Sequence, residues 1–222
     1  MKEYSIMRLA KHKSLSSLAG FERHGMQRER LKHRAKPEKS CKNLFYKKYP
    51  ELTVVQAWKK MTEKISIRKN GVFAIEYVFS VSPTANDKIE QEAELWSSVN
   101  LNWLSHIYGR ENILYARTDL DETTINAHVL VLPLVETLDK NGNKKTKLCA
   151  RYFINGADKL SQMQTSYAEA IAEKFPFLSR GNCYLDTNDS TKPRHQSLKE
   201  YYRKLELAES KKISARVKEM ER

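Results

Sequence analysis

Three residues that could converge on one metal ion, Asp119, Asn126 and His128, lie within the stretch Asp119-Leu-Asp-Glu-Thr-Thr-Ile-Asn-Ala-His128. Asn126 and His128 are two positions apart at the start of a predicted strand, so both side chains project to one face of the sheet. Asp119 closes the preceding predicted strand and can reach the same point. A carboxylate, an amide and an imidazole form a mixed donor set that suits Mn²⁺ or Mg²⁺ better than a metal that prefers thiolates. The alternative is that His128 is a structural histidine beside a polar turn.

The elements that would position these residues follow from the spacing of apolar side chains. Strands are predicted at residues 4–9, 71–82, 112–118 and 127–135, and the short connection between the last two favours an antiparallel pair. Apolar residues recur every three to four positions at 52–65, 89–107 and 160–171, which is typical of helices with one buried face. Residues 139–145 have the composition of a turn or hairpin tip. The pattern predicts an α+β fold, a central antiparallel sheet with helices packed on one face.

The C-terminal part of the chain differs in composition from the rest. From His195 to Arg222 the pattern is that of a charged helix, with little apolar content after Leu207. We expect a folded domain over residues 1–205, followed by a charged C-terminal helix over residues 206–222 that could begin a longer extension.

The positive charge of the protein is concentrated near its N-terminus. The chain carries a net charge of +13, and residues 1–50 hold fourteen Lys and Arg against four acidic residues. A concentrated basic segment usually meets a polyanion, and without an amphipathic anchor that polyanion is more often nucleic acid than lipid. The alternative is a solvated basic surface that only keeps the protein soluble.

Membrane insertion and secretion are not expected from this sequence. The longest apolar run, Val129 to Val135, has seven residues, whereas a spanning helix needs roughly 20. Charged residues also occupy the position of a signal peptide's apolar stretch. Three widely spaced cysteines argue against a disulfide framework or a four-thiolate zinc site. We therefore expect a cytoplasmic protein without a transmembrane segment.

Nine short segments of the chain resemble, in order, those of the Mob/Pre (MobV-type) plasmid mobilisation relaxases, also called plasmid recombination enzymes. They extend over roughly residues 4–205, nearly the whole chain. The segments are Tyr4-Ser-Ile-Met-Arg-Leu-Ala-Lys-His-Lys13, Phe21-Glu-Arg-His24, Ala35-Lys-Pro-Glu-Lys-Ser-Cys-Lys-Asn43, Glu76-Tyr-Val-Phe-Ser-Val-Ser-Pro83, Asp121-Glu-Thr-Thr124, Leu130-Val-Leu-Pro133, Tyr152-Phe-Ile-Asn-Gly156, Met163-Gln-Thr-Ser-Tyr167 and Arg194-His-Gln-Ser-Leu-Lys-Glu-Tyr-Tyr202.

The resemblance implies a relaxase domain of the His-hydrophobic-His endonuclease superfamily, related in fold to rolling-circle endonucleases. Such enzymes nick one strand of a single-stranded or hairpin transfer origin and stay joined to the 5′ phosphate. They use a divalent metal ion and need neither a nucleotide cofactor nor a small-molecule substrate. The implied nucleophile is His24, which matches a histidine in the family's first motif. The neighbouring cations Arg23 and Arg28 would disfavour imidazolium and keep this histidine nucleophilic.

Further roles follow from the same resemblance. Glu122 would orient or activate a reacting group through a hydrogen bond, although it could also be a plain turn carboxylate. From the charge of the N-terminal segment we expect contacts to DNA by its basic and amide side chains, namely Arg8, Arg23, Arg28, Arg30, Lys39, Lys42 and Asn43.

The sequence also departs from the family pattern at the metal motif. Asp119 stands where the family has its first histidine, Ile125 replaces a proline and Asn126 replaces the second histidine; only His128 keeps its ligand type. Arg28 lies one residue farther from His24 than the family spacing, and Cys41 and Lys36 replace polar residues of the second motif. Two functions therefore stay open: a metal-dependent DNA strand transferase, and an origin-binding protein that is weakened or inactive in cutting.

Tyrosines offer an alternative nucleophile, as in other relaxase families. Tyr201 and Tyr202 lie in the charged C-terminal segment, where packing against a neighbouring element is the more ordinary role of a tyrosine.

Binding to DNA should depend steeply on salt because of the basic N-terminal segment. If about six phosphates are neutralised, the plot of log affinity against log salt concentration should have a slope of about −5. Fluorescence anisotropy with a labelled origin oligonucleotide between low and physiological salt measures this slope. A value near zero would contradict the nucleic-acid prediction.

Overall fold

The fold is given by a computed structural model that describes residues 2–26 and 36–181, all within the unit Met1–Leu185. Its strands are β1 (Glu3–His12), β2 (Leu44–Lys47), β3 (Ala74–Val81), β4 (Ile113–Asp119), β5 (Asn126–Val131), β6 (Leu134–Leu138), β7 (Lys144–Leu148) and β8 (Leu178–Arg180). Within this part of the chain, six of them form a central sheet in the order β2-β4-β5-β3-β1-β8, while β6 and β7 pair as a separate hairpin. Neighbours in the central sheet are antiparallel except β1 and β8, which are parallel, so the sheet is mixed.

Helices surround this sheet. They are α1 (Leu15–Met26), α2 (Val54–Thr62), α3 (Asn86–Gln91), α4 (Ala93–Tyr108), α5 (Ala150–Phe153) and α6 (Gly156–Ala172), with short 3₁₀ helices at Pro37–Lys42, Pro83–Ala85 and Arg110–Asn112. Capping fixes where α2 begins, because the Thr53 side chain and Gln56 exchange hydrogen bonds in a capping box. Where α4 ends, Gly109 adopts a φ of 84°, a left-handed conformation that favours glycine.

Both faces of the sheet are covered, and they differ in chemistry. On one face, Tyr77 and Phe79 of β3 join Trp96 of α4 and Tyr167 of α6 in the larger apolar cluster. On the other face, Leu18 and Phe21 of α1 pack with residues of α2, β4 and β5 in a smaller cluster. Because side chains alternate along a strand, the residues between Ile75, Tyr77 and Phe79 must face this second side. We call it the polar face, because Glu76 and the predicted metal ligands lie on it.

The predicted α+β class is confirmed, with differences in detail. The prediction that helices pack on one face is wrong, because α1 and α2 cover the polar face. Helix α1 was not predicted; Gly20 and Gly25 interrupt its apolar pattern, and glycine disfavours helix interiors. The strand predicted to Val135 ends at Val131, since Pro133 cannot donate to a strand ladder, and a new strand starts at Leu134. The sheet is mixed because of β8, whose three residues are too few to show a period.

The other segments agree more closely with expectation. The helix predicted at 89–107 is observed as α3 and α4, and the turn predicted at residues 139–145 joins β6 to β7. Among the described helices, none is long and apolar enough to cross a membrane. The predicted charged helix from His195 to Arg222 lies outside the described residues.

Two leucines of α4 test whether this packing stabilises the fold. Leu104 is fully buried and Leu95 is 39% exposed. Leu104→Ala should lower the free energy of unfolding by about 2–5 kcal/mol, because it removes buried methyl groups and leaves a cavity. Leu95→Ala, the same change on the same helix, should cost less than about 1 kcal/mol. Urea denaturation followed by circular dichroism measures both, and equal losses would contradict the described packing.

Candidate functional site

A cluster of polar side chains lies on the polar face, in adjacent rows across the central strands. In one row the registers align Arg8 of β1 with Val78, Val78 with His128, and His128 with Arg117. In the next row Asn126 lies directly opposite Asp119. Partners in register share a face of the sheet, so these side chains project to the same side. The structure therefore brings together the three predicted metal ligands, Asp119, Asn126 and His128.

Glu76 of β3 connects two histidines from the strands on either side of it. Its Oε1 atom lies 2.8 Å from His128 Nδ1, and its Oε2 atom lies 3.0 Å from His12 Nε2. Burial raises the pKa of the Glu76 carboxyl, but the hydrogen bonds and charges of His12 and His128 outweigh burial and lower the pKa to about 2. The ionised carboxylate can only accept, so both ring nitrogens donate to it. His128 is thereby fixed with its Nε2 atom towards Asp119.

A buried ion pair lies beside this histidine. Arg117 Nε donates to Asp119 Oδ1 at 2.6 Å, and the two side chains are 1% and 0% exposed. The other carboxylate oxygen, Oδ2, lies 3.7 Å from His128 Nε2. A buried charge is costly unless it is paired, so Arg117 and Asp119 depend on each other.

Helix α1 covers the same part of the polar face. The Phe21 ring makes edge contacts with His12 and His128, at centroid distances of 5.8 and 6.5 Å. Gly25, in the last turn, lies so close to Arg117 that a Cβ atom there would collide with the guanidinium group. His24 is the residue before Gly25 and is exposed. The proposed nucleophile is therefore carried on the helical turn that lies against the buried ion pair.

The proposed ligands can be tested for their fit to a divalent ion. The 3.7 Å between His128 Nε2 and Asp119 Oδ2 is a separation that two ligands of one ion can adopt with bonds of roughly 2.0–2.2 Å. Asn126 Nδ2 donates to Glu122 Oε2 and to the Thr124 carbonyl, both at 2.9 Å, so Oδ1 is the atom left to bind a metal. Within residues 2–26 and 36–181, no three His, Cys, Asp or Glu side chains are placed to hold one ion. Asp119 and His128 are thus spaced so that they could share a hard cation, to which Asn126 would add only a weak amide donor.

The segment around Pro37–Lys42 is held against the loop that follows β4. Ser40 Oγ donates to Asp121 Oδ2 at 2.6 Å, and the backbone N–H of Leu120 donates to Asn43 Oδ1 at 2.8 Å. Asn43 is buried and so fixes the position of this loop. Lys39 donates to both carboxylate oxygens of Glu90, at 3.0 and 3.1 Å. Two of the predicted DNA-contacting side chains are thus engaged within the protein.

The remaining predicted DNA contacts lie at the surface or outside the described residues. Arg8 and Arg23 are exposed. The Lys42 Nζ atom lies 3.9 Å from Glu90 Oε1. Arg28 and Arg30 fall in residues 27–35, which lie outside the described part of the chain. Tyr201 and Tyr202 also lie outside it.

Sequence reasoning missed Glu76, His12 and Arg117. Glu76 is the one charged residue in the otherwise apolar and aromatic run Ala-Ile-Glu-Tyr-Val-Phe-Ser-Val. Arg117 is likewise a charge inside a fully buried strand. A charge inside an otherwise apolar strand was the available signal, because burial requires a partner for it, and β4 itself supplies that partner to Arg117 in Asp119.

The bridge between the two histidines should stabilise the fold. Glu76→Gln keeps the size of the side chain but removes the charge that both rings donate to, so we expect the free energy of unfolding to fall by about 2 kcal/mol at neutral pH. Glu136→Gln, the same change at an exposed position of β6, is the control and should stay within about 0.5 kcal/mol of the parent. Chemical denaturation measures both, and indistinguishable variants would contradict the bridge.

Two known proteins are similar in sequence to this chain. Plasmid recombination enzyme type 1 of Staphylococcus aureus is 27% identical over 225 residues, covering 94% of this chain and 52% of that protein. The 65 kDa protein of Zymomonas mobilis subsp. mobilis is 27% identical over 176 residues, covering 77% of this chain and 29% of that protein. The chain thus spans about half the length of the first relative and less than a third of the second.

A solved structure shares the fold. The MobM relaxase domain, in a Mn-bound crystal structure with 22 nucleotides of plasmid pMV158 oriT DNA, superimposes with a TM-score of 0.71 at 22% identity, covering 90% of this chain and 99% of that one. The family described as plasmid recombination enzyme (Mob_Pre) matches residues 1–203. The match extends over most of the 222 residues, so the chain belongs to the plasmid recombination enzyme family, as the sequence resemblance predicted.

Proposed function

We propose that this chain nicks one DNA strand at a plasmid or mobile-element transfer origin and can rejoin it through a covalent protein–DNA intermediate. The observation that carries the proposal is the polar centre of Asp119, Asn126 and His128 beneath α1, whose last turn bears His24. The MobM domain, which has the same fold, is bound to oriT DNA, and this supports DNA as the partner. Because the relatives are longer, the proposal concerns the activity of this part of such a protein.

The proposed chemistry begins with the neutral imidazole of His24. One ring nitrogen attacks the scissile phosphorus, the N–P bond forms, and the bond from phosphorus to the 3′ oxygen breaks. The leaving 3′ oxygen takes up a proton, and the 5′ phosphate stays on His24. The reverse attack by the 3′ hydroxyl releases the histidine and reseals the strand, so no nucleotide cofactor is needed.

The centre beneath α1 would hold a divalent cation, Mn²⁺ or Mg²⁺, through Asp119, Asn126 and His128. When bound, such an ion supplies Lewis-acid stabilisation of the charge that develops on the scissile phosphate. Glu76 keeps His128 Nε2 directed at the centre, and Glu122 holds the Asn126 amide so that its oxygen is available. These two carboxylates therefore position the ligands.

Basic side chains around this centre would bind the DNA backbone. Exposed Arg8 is in the same row of the sheet as His128, and exposed Arg23 is next to His24. A phosphate could replace Glu90 at Lys39 and Lys42, because both pairs are partly solvated. Arg28 and Arg30 continue the same basic segment. We expect the protein to act in the cytoplasm, where plasmid DNA is found.

A second candidate is origin binding without cutting. It is favoured by the composition of the centre, where an amide is one of three proposed ligands and Asp119 is already paired with Arg117. A neutral amide binds a divalent ion more weakly than a carboxylate does. In this case DNA binding persists and no covalent product forms.

The covalent product separates the two candidates. Incubation with an origin oligonucleotide and Mn²⁺, followed by denaturing electrophoresis, should show protein joined to the nicked strand by an acid-labile, base-stable bond. His24→Ala should reduce this product at least about 100-fold, because the change deletes the nucleophile, and should leave DNA affinity within a few fold.

The control is His106→Ala, which removes an exposed histidine bonded to a carbonyl of its own helix and should leave the product unchanged. A product that persists in His24→Ala and disappears in Tyr201→Phe or Tyr202→Phe would make the nucleophile assignment wrong. If no product forms although DNA binds, the origin-binding candidate holds instead.

A further inference from the structure

The buried arginine beside the proposed metal centre is part of the charge balance there. Arg117 is 1% exposed, and its Nε atom lies 2.6 Å from Asp119 Oδ1. The same carboxylate faces His128 through its other oxygen, 3.7 Å from Nε2. One carboxylate is therefore shared between a permanent cation of the protein and the position proposed for a divalent ion.

The charges of Arg117 and Asp119 cancel each other before any ion binds, and the carboxylates of Glu76 and Glu122 lie one residue farther out, on His128 and Asn126. Arginine keeps its charge throughout the physiological pH range. Asp119 supplies one negative charge, which is already balanced by Arg117, and the proposed amide ligand Asn126 supplies none. A divalent ion held by Asp119 would lie close to the guanidinium, and both of these side chains are buried, so the two like charges would repel strongly. Affinity for a free divalent ion should consequently be low.

The surroundings hold the guanidinium in place. The Phe21 ring lies 6.0 Å from its central carbon, a cation–π contact. Gly25 of α1 leaves the space that the Nη1 end occupies, and a Cβ atom at that position would collide with it. Burial raises the pKa of the neighbouring Tyr115 hydroxyl, an effect that Arg117 opposes. The cation is thus built into the contact between α1 and the sheet.

We propose that Arg117 is a resident cation of the centre, which weakens the binding of a free divalent ion and provides a fixed positive charge beneath the turn that carries His24. The proposal rests on the proposed function and specifies its metal requirement. Arg117 is buried, so it acts on a DNA phosphate through its electrostatic field and is a positioning residue. The charge of Arg117 is present whether or not a divalent ion is bound, so DNA binding should persist without the ion.

The direct test measures Mn²⁺ binding to the DNA-free protein by electron paramagnetic resonance. Arg117→Met removes the charge but keeps an unbranched side chain, and it should tighten Mn²⁺ binding at least about tenfold. Arg117→Lys is the matched control, because it keeps the charge, and its affinity should stay within about threefold of the parent. Tight binding to the parent that Arg117→Met leaves unchanged or weakens would overturn the proposal, as would an equal gain in both variants.

A second variant covers the case in which Arg117→Met fails to fold, because it leaves Asp119 buried without its partner. Gly25→Ala retains both charges and displaces the guanidinium from beneath α1. It should tighten Mn²⁺ binding by at least about threefold, and no gain there would overturn the proposal. These measurements need neither DNA nor cleavage, so a failure of the proposed nicking activity remains distinguishable from a failure of this proposal.

Discussion

The carboxylate of Glu76 links two imidazoles carried by different strands, and the arrangement of side chains on the polar face depends on this link. Glu76 lies on β3, between β1 with His12 and β5 with His128. Because the carboxylate accepts from both rings, it determines which nitrogen of His128 is directed at Asp119. Without this acceptor, two half-buried imidazoles would each need another partner. The link also joins strands that do not pair with each other.

The two faces of the sheet differ in composition: one carries the main apolar core, and the other carries the cluster of ionisable residues. The face under α4 and α6 holds most of the large aromatic side chains and supplies the continuous apolar core. The polar face has a smaller apolar cluster under α1 and α2, and beside it the ionisable residues collect. A rigid sheet lets catalytic or binding groups be fixed on one side while packing on the other side supports them. Such a division would suit the proposed substrate, a DNA strand lying across an accessible surface.

Part of this site can be predicted from the sequence because strand alternation is a local pattern. The rest depends on contacts between residues that are far apart in the chain. Strand alternation alone placed Asn126 and His128 on one face, and the short connection placed Asp119 opposite them. The bridge from Glu76 to His12 joins residues 64 positions apart. Its prediction requires the register between β1 and β3, which no local pattern contains. Helix α1 was missed as well, so the contact of Gly25 with Arg117 had no basis in the sequence; the roles of His24 and Glu122 came only from family resemblance.

The buried pair of Arg117 and Asp119 also constrains how this protein can evolve. Replacing either partner alone leaves a charge without compensation in a dry environment, a cost of about 3–5 kcal/mol, which is a large share of a typical domain's stability. An imidazole at position 119 would therefore be tolerated only together with an uncharged residue at 117, and a side chain larger than glycine at 25 only where the guanidinium is absent. The three positions form an epistatic unit, whose substitutions should appear together along a lineage and seldom one at a time.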